Sequence, residues 1–248
     1  MPTPFTHLKI TLRLIGDPQV PQTVRDFATA HRADFLLGGI VADQRPEGGK
    51  RADTHFYEYT QPMPDNPWRE MFRQNPSLKN PKSEAHKAFL SSYVAHLAAD
   101  EYWARYMLKP HFANGTWGSD IRERFYLLHL LLITMDERDE NLLPDSVGQE
   151  MLGCQPHQWL PFLSDSKICE WRDFLAQQIN EDDSQTLVIF GGRINTSPEK
   201  VRALLDDHDY MQQKLWNNIP RQLLAQTERE LYFFARQQML TYLDEFFD

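Results

Sequence analysis

A histidine and an aspartate four residues apart, His96 and Asp100, have the residue types and spacing of a metal site. On a helix this spacing brings an imidazole and a carboxylate to the same point of one face. A buried carboxylate is costly unless it is paired or binds a cation. The pair therefore predicts either a divalent metal ion or a hydrogen bond between the two side chains in the core. The predicted helix face is otherwise apolar and aromatic, with Phe89, Tyr93, Trp103 and Met107.

Three further candidate ligands lie upstream of this pair. Asp43 ends the apolar stretch 35–42, His55 lies in a predicted loop, and His7 lies at the start of the first predicted helix. Taken alone, each has an ordinary alternative: a cap or turn residue for the aspartate, and a solvated or partly exposed ring for each histidine. Two histidines and two carboxylates together would form a zinc shell, because zinc accepts nitrogen and carboxylate oxygen where thiolates are absent.

The elements that must position these side chains are predicted to be helices, which makes the chain an all-α, multi-helix bundle. Apolar residues recur three and four apart, glycine is scarce at 11 of 248 residues, and alternating β-branched runs are nearly absent. The segment 187–190 fits a short strand or a helical turn. Two segments with proline and glycine, 43–66 and 109–118, are predicted loops, and a loop as long as the first usually serves a site. The predicted helices are 5–15, 20–31, 33–41, 66–74, 83–108, 119–137, 143–152, 165–179, 198–207 and 220–246, and their predicted N-caps include Ser83, Asp120 and Ser197.

Composition restricts the class of protein. The chain has 26 basic and 35 acidic residues, a net charge of −9, so it offers no basic surface for nucleic acid. It contains no apolar stretch long enough to span a membrane and no secretory leader pattern, so we expect a cytoplasmic protein. Because seven of the nine histidines precede residue 130, we expect a zinc-site helical core at 1–140. Residues 141–248 would form a helical region packed on that core in one globular unit, closing over the site or pairing two chains as a homo-oligomer.

The order of these motifs resembles the zinc-dependent phospholipase C family, which includes the catalytic domain of glycosylphosphatidylinositol-specific phospholipase D and shares its helical fold with the P1/S1 nucleases. The resemblance covers roughly residues 1–135. It implies that Asp43, His55, His96 and Asp100 bind one zinc ion, and that Asp100 bridges to a second ion held by His7. A third zinc is not expected, because Tyr106 stands where members with three ions carry a histidine. The matching segments are Thr6-His7, 31–43, Thr54-His55-Phe56 and 93–103.

The resemblance implies a zinc-dependent phosphoric ester hydrolase. Two ions would supply a metal-bound hydroxide that attacks a phosphodiester, with Asp43 accepting the proton of the water and Asp100 fixing the separation of the metals. The expected substrate is a phosphate-ester small molecule or a phospholipid head group. The alternative is a non-catalytic helical interaction protein in which the zinc site is structural or degenerate.

Four residues have predicted roles around the ligands. Arg45 is expected to bind a phosphate oxygen, since its planar fork suits that geometry, or to form a surface salt bridge. Trp103 would line an apolar wall for the substrate or belong to the core. His31 is expected to orient a ligand from outside the shell or to cap a helix. His129 matches a later family histidine, although a hydrogen-bonded core histidine is the favoured interpretation.

Overall fold

The structure of the protein is a computed structural model that describes residues 2–58, 61–181 and 184–247. These residues form helices, turns and loops, and no strand occurs among them beyond one isolated bridge between Leu160 and Leu163. The all-α prediction is therefore confirmed. None of the helices in this described part is both long and apolar enough to cross a membrane.

The helices follow one another along the chain, and the longer connections are 56–66 and 152–164. Single 3-10 turns lie at Val41–Asp43 and Pro76–Lys79, and π-helical segments lie at Ala104–Ala113 and Gln212–Trp216. The α-helices are α1 (Pro4–Gly16), α2 (Gln22–Ala30), α3 (Arg32–Gly38), α4 (Ala52–His55), α5 (Pro67–Gln74), α6 (Glu84–Trp103), α7 (Ile121–Glu140), α8 (Ser146–Met151), α9 (Asp165–Glu181), α10 (Thr186–Arg193), α11 (Pro198–Asp206), α12 (His208–Met211) and α13 (Arg221–Phe247).

The predicted N-caps are present. The Ser83 hydroxyl accepts the backbone N–H of the third residue of α6, and the Asp120 carboxylate accepts two backbone N–H groups of the first turn of α7. The Ser197 hydroxyl caps α11 in the same way. Each cap satisfies backbone donors that a helix start leaves without an intrahelical partner.

Two local predictions need correction, and an alternative left open at a third segment is decided. The predicted loop 43–66, whose residues 59 and 60 lie outside the described part, contains the one-turn helix α4. The predicted loop 109–118 is helical as far as Ala113, because the π-helical segment continues through Pro110. Residues 187–190 lie within α10, so the helical interpretation of that segment is correct. In both loops glycine and proline outweighed a short helical pattern in the sequence.

Helix α6 lies at the centre of the molecule. Every residue from Ala88 to Glu101 is buried, and α1, α3, α5 and α13 pack around this helix. Its many alanines and large apolar residues make it apolar on all sides, which is typical of a fully enclosed helix. Each large apolar side chain buried there contributes about 1.5–3 kcal/mol. The packing therefore holds His96 and Asp100, in the last turns of the helix, away from solvent.

Two glycines at the end of α3 allow it to lie directly against α6. A Cβ at Gly38 would lie 2.0 Å from the carbonyl oxygen of Phe89, and a Cβ at Gly39 would lie 2.1 Å from the Thr11 hydroxyl and 2.8 Å from the Ser92 hydroxyl. No larger residue fits either position without displacing these neighbours. This close approach brings the carbonyl group of Gly39 to the side of α6 that carries His96.

Candidate metal centre

Five side chains predicted from the sequence converge at one place in the structure. His7 comes from α1, Asp43 from the first 3-10 turn, His55 from α4, and His96 and Asp100 from α6. Donor atoms of His55, His96 and Asp100 all lie within 4.8 Å of one another, and so do those of His7, Asp43 and His96. Residues up to 93 positions apart in the chain thus meet in one cluster.

His96 is held in the orientation of a metal ligand. Its Nδ1 lies 2.8 Å from the carbonyl oxygen of Gly39, so Nδ1 carries the proton and donates it. The lone pair of the ring is then on Nε2, which faces the cluster. A carbonyl that fixes the tautomer of a histidine is the usual support of a metal-bound imidazole.

His55 is positioned by the one-turn helix that ends with it. Its Nδ1 lies 3.2 Å from the carbonyl oxygen of Arg51, which leaves Nε2 to face Asp100. The Tyr93 hydroxyl of α6 donates to the carbonyl oxygen of Thr54 at 2.8 Å and ties α4 to the central helix. Phe56 then adopts a left-handed conformation, with φ of 61°, which ends the helical turn.

Asp43 and His7 complete the cluster from opposite sides. Asp43 is the last residue of its 3-10 turn, and the indole N–H of Trp171 in α9 donates to the carbonyl oxygen of Ile40 just before that turn at 3.0 Å. The ring of His7 stacks on that of His96, with centroids 3.7 Å apart and an interplanar angle of 15°. The stacking holds both imidazole rings edge-on to the same space.

The donor atoms are spaced as in a metal shell. From the carboxylate oxygens of Asp100, Nε2 of His55 lies at 3.0 Å, that of His7 at 3.4 Å and that of His96 at 3.6 Å. Nε2 of His55 lies 3.7 Å from Oδ1 of Asp43. Ligands bound tetrahedrally at zinc distances are separated by about 3.3 Å. The cluster therefore needs only small side-chain adjustments to surround an ion.

Several buried atoms of the cluster have no hydrogen-bond partner among the described residues. They are Nε2 of His7, His55 and His96, Oδ2 of Asp43 and Oδ1 of Asp100. Leaving so many polar atoms unsatisfied in the interior is costly unless they bind something. A bound cation would satisfy such atoms, and two sets of three, His7-Asp43-His96 and His55-His96-Asp100, have donor atoms close enough together to hold one, so the residues present fit a metal ion.

Burial and the neighbouring charged groups shift the pKa values of the cluster in different directions. Burial, and next the neighbouring His96, lower the pKa of His7 to about 4. Burial opposes the charge of His96 as well, but Asp100 and Asp43 outweigh it and raise the pKa of His96. Burial would likewise raise the pKa of Asp100, yet the surrounding imidazoles hold it well below its usual range. The pKa of Asp43 is lowered to about 2 in the same way, with His55 opposing burial most strongly.

A cavity of about 440 Å³ opens beside the cluster. Asp43 and His55 line it, whereas His7, His96 and Asp100 lie behind them. Helices α7, α9 and α10 and the start of α1 supply much of its remaining wall. The apolar part of the lining includes Leu108, Phe125, Leu128, Leu132, Phe174, Leu175, Ile189 and Phe190.

Positive side chains collect around this cavity although the chain is acidic overall. Arg45, Arg51, Lys109 and Arg193 line it. Arg45, Lys109 and Arg193 take part in no ion pair within the described part of the chain. Cations without carboxylate partners at the wall of a cavity are suited to an anionic ligand.

The other predicted site residues fall into two groups. Arg45 and His129 line the cavity, and Nδ1 of His129 lies 2.7 Å from the carbonyl oxygen of Phe125 in its own helix. Trp103 is fully buried in the core and is absent from the cavity lining, so its position does not support a contact with substrate there. His31 lies between α2 and α3, 3.9 Å from Asp34 and without a contact to the cluster.

Sequence reasoning missed Arg51, Lys109 and Arg193. Arg51 had a detectable signal, because it precedes His55 by four residues in a segment that forms a helical turn. Lys109 and Arg193 had none, since neither lies near a candidate ligand in the sequence.

Fold and site together define an all-helical protein whose buried histidine and aspartate groups could hold a metal ion beside a partly apolar cavity. Comparison of the chain with protein-family models, with curated proteins and with solved structures gave no match.

Proposed function

We propose that the protein is a zinc-dependent phosphoric ester hydrolase, similar in chemistry to phospholipase C and acting on a phosphodiester. The observation that carries the proposal is the cluster of three imidazole nitrogens and two carboxylates with unsatisfied donor atoms at the wall of a cavity. Nitrogen and carboxylate oxygen without thiolate is a donor set that suits zinc. The two ions implied by the sequence resemblance remain a prediction.

Zinc bound in this centre would polarise a phosphoryl oxygen and lower the pKa of a bound water to about 7. The chain itself supplies the other parts of the reaction. Asp43 faces the cavity as an ionised carboxylate and can accept a proton there. Asp100 has no exposed surface and holds the three imidazoles in place.

The cavity supports an anionic substrate with an apolar portion. Its unpaired cations, Arg45, Lys109 and Arg193, would bind phosphate oxygens, and arginine forks match the geometry of a phosphate. The apolar lining from α7, α9 and α10 would cover the organic group of the ester. Both features fit a phosphodiester with an apolar alcohol, such as a phospholipid, or a small aryl ester.

The open cavity also argues against a purely structural zinc ion. Structural zinc sites are closed by four protein ligands, whereas catalytic sites keep a position open to water or substrate. Here Asp43 and His55 face the cavity. The arrangement thus favours the enzyme over a non-catalytic interaction protein.

The proposal is tested with bis(4-nitrophenyl) phosphate as substrate, on protein loaded with zinc and on protein treated with a chelator. Hydrolysis is expected only with zinc, and His96→Gln is expected to reduce it more than about a hundredfold, because loss of an outer-shell partner alone typically costs roughly 10–100-fold. His86→Gln is the matched control: His86 lies buried on the same helix but stacks on Trp159, away from the cluster. Zinc-loaded protein that hydrolyses no aryl phosphate ester would contradict the proposal.

A further inference from the structure

Arg51 reaches the metal centre from the same helical turn as His55. The carbonyl oxygen of Arg51 accepts the backbone N–H of His55 at 3.0 Å and lies 3.2 Å from Nδ1 of the ring. Nη2 of Arg51 donates to Oδ2 of Asp100 and to the hydroxyl of Tyr57, both at 2.8 Å. The guanidinium also lies over the Tyr57 ring, 4.5 Å from its centroid. These contacts fix a positive charge beside the most buried carboxylate of the centre.

The two oxygens of Asp100 have different neighbours as a result. Oδ2 accepts a hydrogen bond from the guanidinium of Arg51 and lies 3.0 Å from Nε2 of His55 and 3.6 Å from Nε2 of His96. Oδ1 is buried without a hydrogen-bond partner among the described residues and lies 3.4 Å from Nε2 of His7. A carboxylate that bridges two metal ions gives one oxygen to each of them. Asp100 has only one oxygen that is not already bonded to a cation.

The balance of charge in the centre also favours one metal ion over two. The carboxylates of Asp43 and Asp100 balance one divalent ion, and Arg51 then leaves one net positive charge, which suits a phosphoryl anion. A second divalent ion would place three net positive charges in a buried site, close to the guanidinium. Such repulsion is poorly screened in the interior of a protein.

We infer that Arg51 takes the place of a second metal ion. The centre then binds one divalent ion, and the guanidinium supplies the second positive charge that a two-metal hydrolase would offer to the phosphoryl group. Arg51 lines the cavity, and its side chain is 15% exposed, so it can reach a bound anion while it holds Asp100. This inference rests on the proposed metal-dependent function.

The first test counts bound zinc by elemental analysis, on full-length protein purified without a metal-binding tag, saturated with zinc and passed through a desalting column. We expect one ion per chain. Arg51→Met removes the charge and releases Oδ2 of Asp100, so a second, weaker zinc is expected, while Arg51→Lys keeps one. Two ions in the unaltered protein, or one ion in a folded Arg51→Met variant at saturating zinc, would overturn the inference. No bound zinc in the unaltered protein would instead overturn the proposed function itself.

The second test measures the affinity for inorganic phosphate by calorimetry, with one equivalent of zinc present. Loss of a charge-assisted hydrogen bond is expected to weaken phosphate binding about tenfold or more in Arg51→Met. Arg69→Met is the matched control, because Arg69 also pairs with a carboxylate, that of Glu245, and lies over an aromatic ring, that of Trp68, but is not part of the cavity. It should bind phosphate as the unaltered protein does. Equal phosphate affinity in Arg51→Met and Arg69→Met would contradict the anion-binding role.

Discussion

Asp136 is a second buried carboxylate in the cavity wall, and we predict that it makes the stability of the protein depend on pH. Its side chain is 3% exposed, and the Thr186 hydroxyl donates to Oδ2 at 2.5 Å. Oδ1 has no hydrogen-bond partner among the described residues. Because burial dominates over the hydrogen bond, the pKa of Asp136 is raised from 3.8 to about 7.

The raised pKa of Asp136 determines the sign and the size of its effect on stability. The folded protein keeps the proton of Asp136 at pH values where the unfolded chain has lost it. The free energy of unfolding therefore falls as pH rises from about 4 to about 7. A rise in pKa from 3.8 to about 7 lowers the free energy of unfolding by about 4 kcal/mol, because each tenfold change in proton affinity is worth about 1.4 kcal/mol. Asp136→Asn cannot ionise, so the variant should gain about that much stability relative to the unaltered protein over the same pH range.

Urea unfolding at pH 5, 6, 7 and 8, followed by tryptophan fluorescence, measures the difference between the two proteins. Since all other titrating groups are common to both, their contributions cancel in that difference. Asp244→Asn is the control, because Asp244 is exposed on α13 and makes no contact of this kind. We compare the free energies of unfolding of Asp136→Asn and the unaltered protein. If their difference stays constant from pH 5 to pH 8, the argument that ionisation of Asp136 destabilises the folded protein is refuted.

Two further predictions concern the metal centre and its support. Zinc at a thousand times its dissociation constant should stabilise the fold by about 4.1 kcal/mol. For a chain of this length, that raises the melting temperature by roughly 8–16 °C. Thermal scans with zinc and with chelator measure the change, and identical melting temperatures would contradict a zinc site in the folded protein. Gly39→Ala should cost about 1–3 kcal/mol and weaken zinc binding, because the new Cβ would lie 2.1 Å from the Thr11 hydroxyl and displace the carbonyl that orients His96. Urea unfolding and zinc titration test it against Gly16→Ala, where a Cβ meets nothing within 4 Å.

The helical class of the fold could be predicted because it depends on the spacing of apolar residues that are close in the sequence. Apolar residues three and four apart predict helices wherever tertiary packing agrees, and the caps at Ser83 and Asp120 mark where two of them begin. The same local signal fails for α4, whose single turn is too short to show a period and lies among prolines and glycines. That short turn carries His55, so the least predictable helix is one that the site requires.

The ligand cluster could be anticipated for a different reason. His96 and Asp100 are one turn apart on a helix that the sequence marks as buried, and the motif order supplied His7, Asp43 and His55 by resemblance. Sequence spacing could not predict how close these three side chains lie to His96 and Asp100. Their positions depend on the close approach of α3 to α6 and on the helical turn after residue 51. The ligation itself stays a prediction.

The cavity as a whole could not be predicted, since most of its wall is assembled from α7, α9 and α10 across long stretches of chain, although Arg45 and His129 were predicted near the site and line it. Phe174 and Phe190 look like ordinary core residues in the sequence, and Asp136 looks like one of several acidic residues on α7. Only the packing of these helices shows that they face the open side of the metal centre. Predictions from sequence thus identified the five clustered side chains but not most of the surface that would meet a substrate.

The division of the centre between buried and cavity-facing groups determines how its two carboxylates can act. Asp100 is surrounded by three imidazoles and a guanidinium and has no exposed surface, so a substrate cannot reach it and its role is to hold charge and geometry. Asp43 is 13% exposed, lines the cavity and lies beside His7, His55 and His96. In the proposed hydrolysis, Asp43 rather than Asp100 is therefore the carboxylate placed to accept a proton. The asymmetry comes from the fold, because α6 is enclosed on every side whereas the 3-10 turn of Asp43 lies at the edge of the open space.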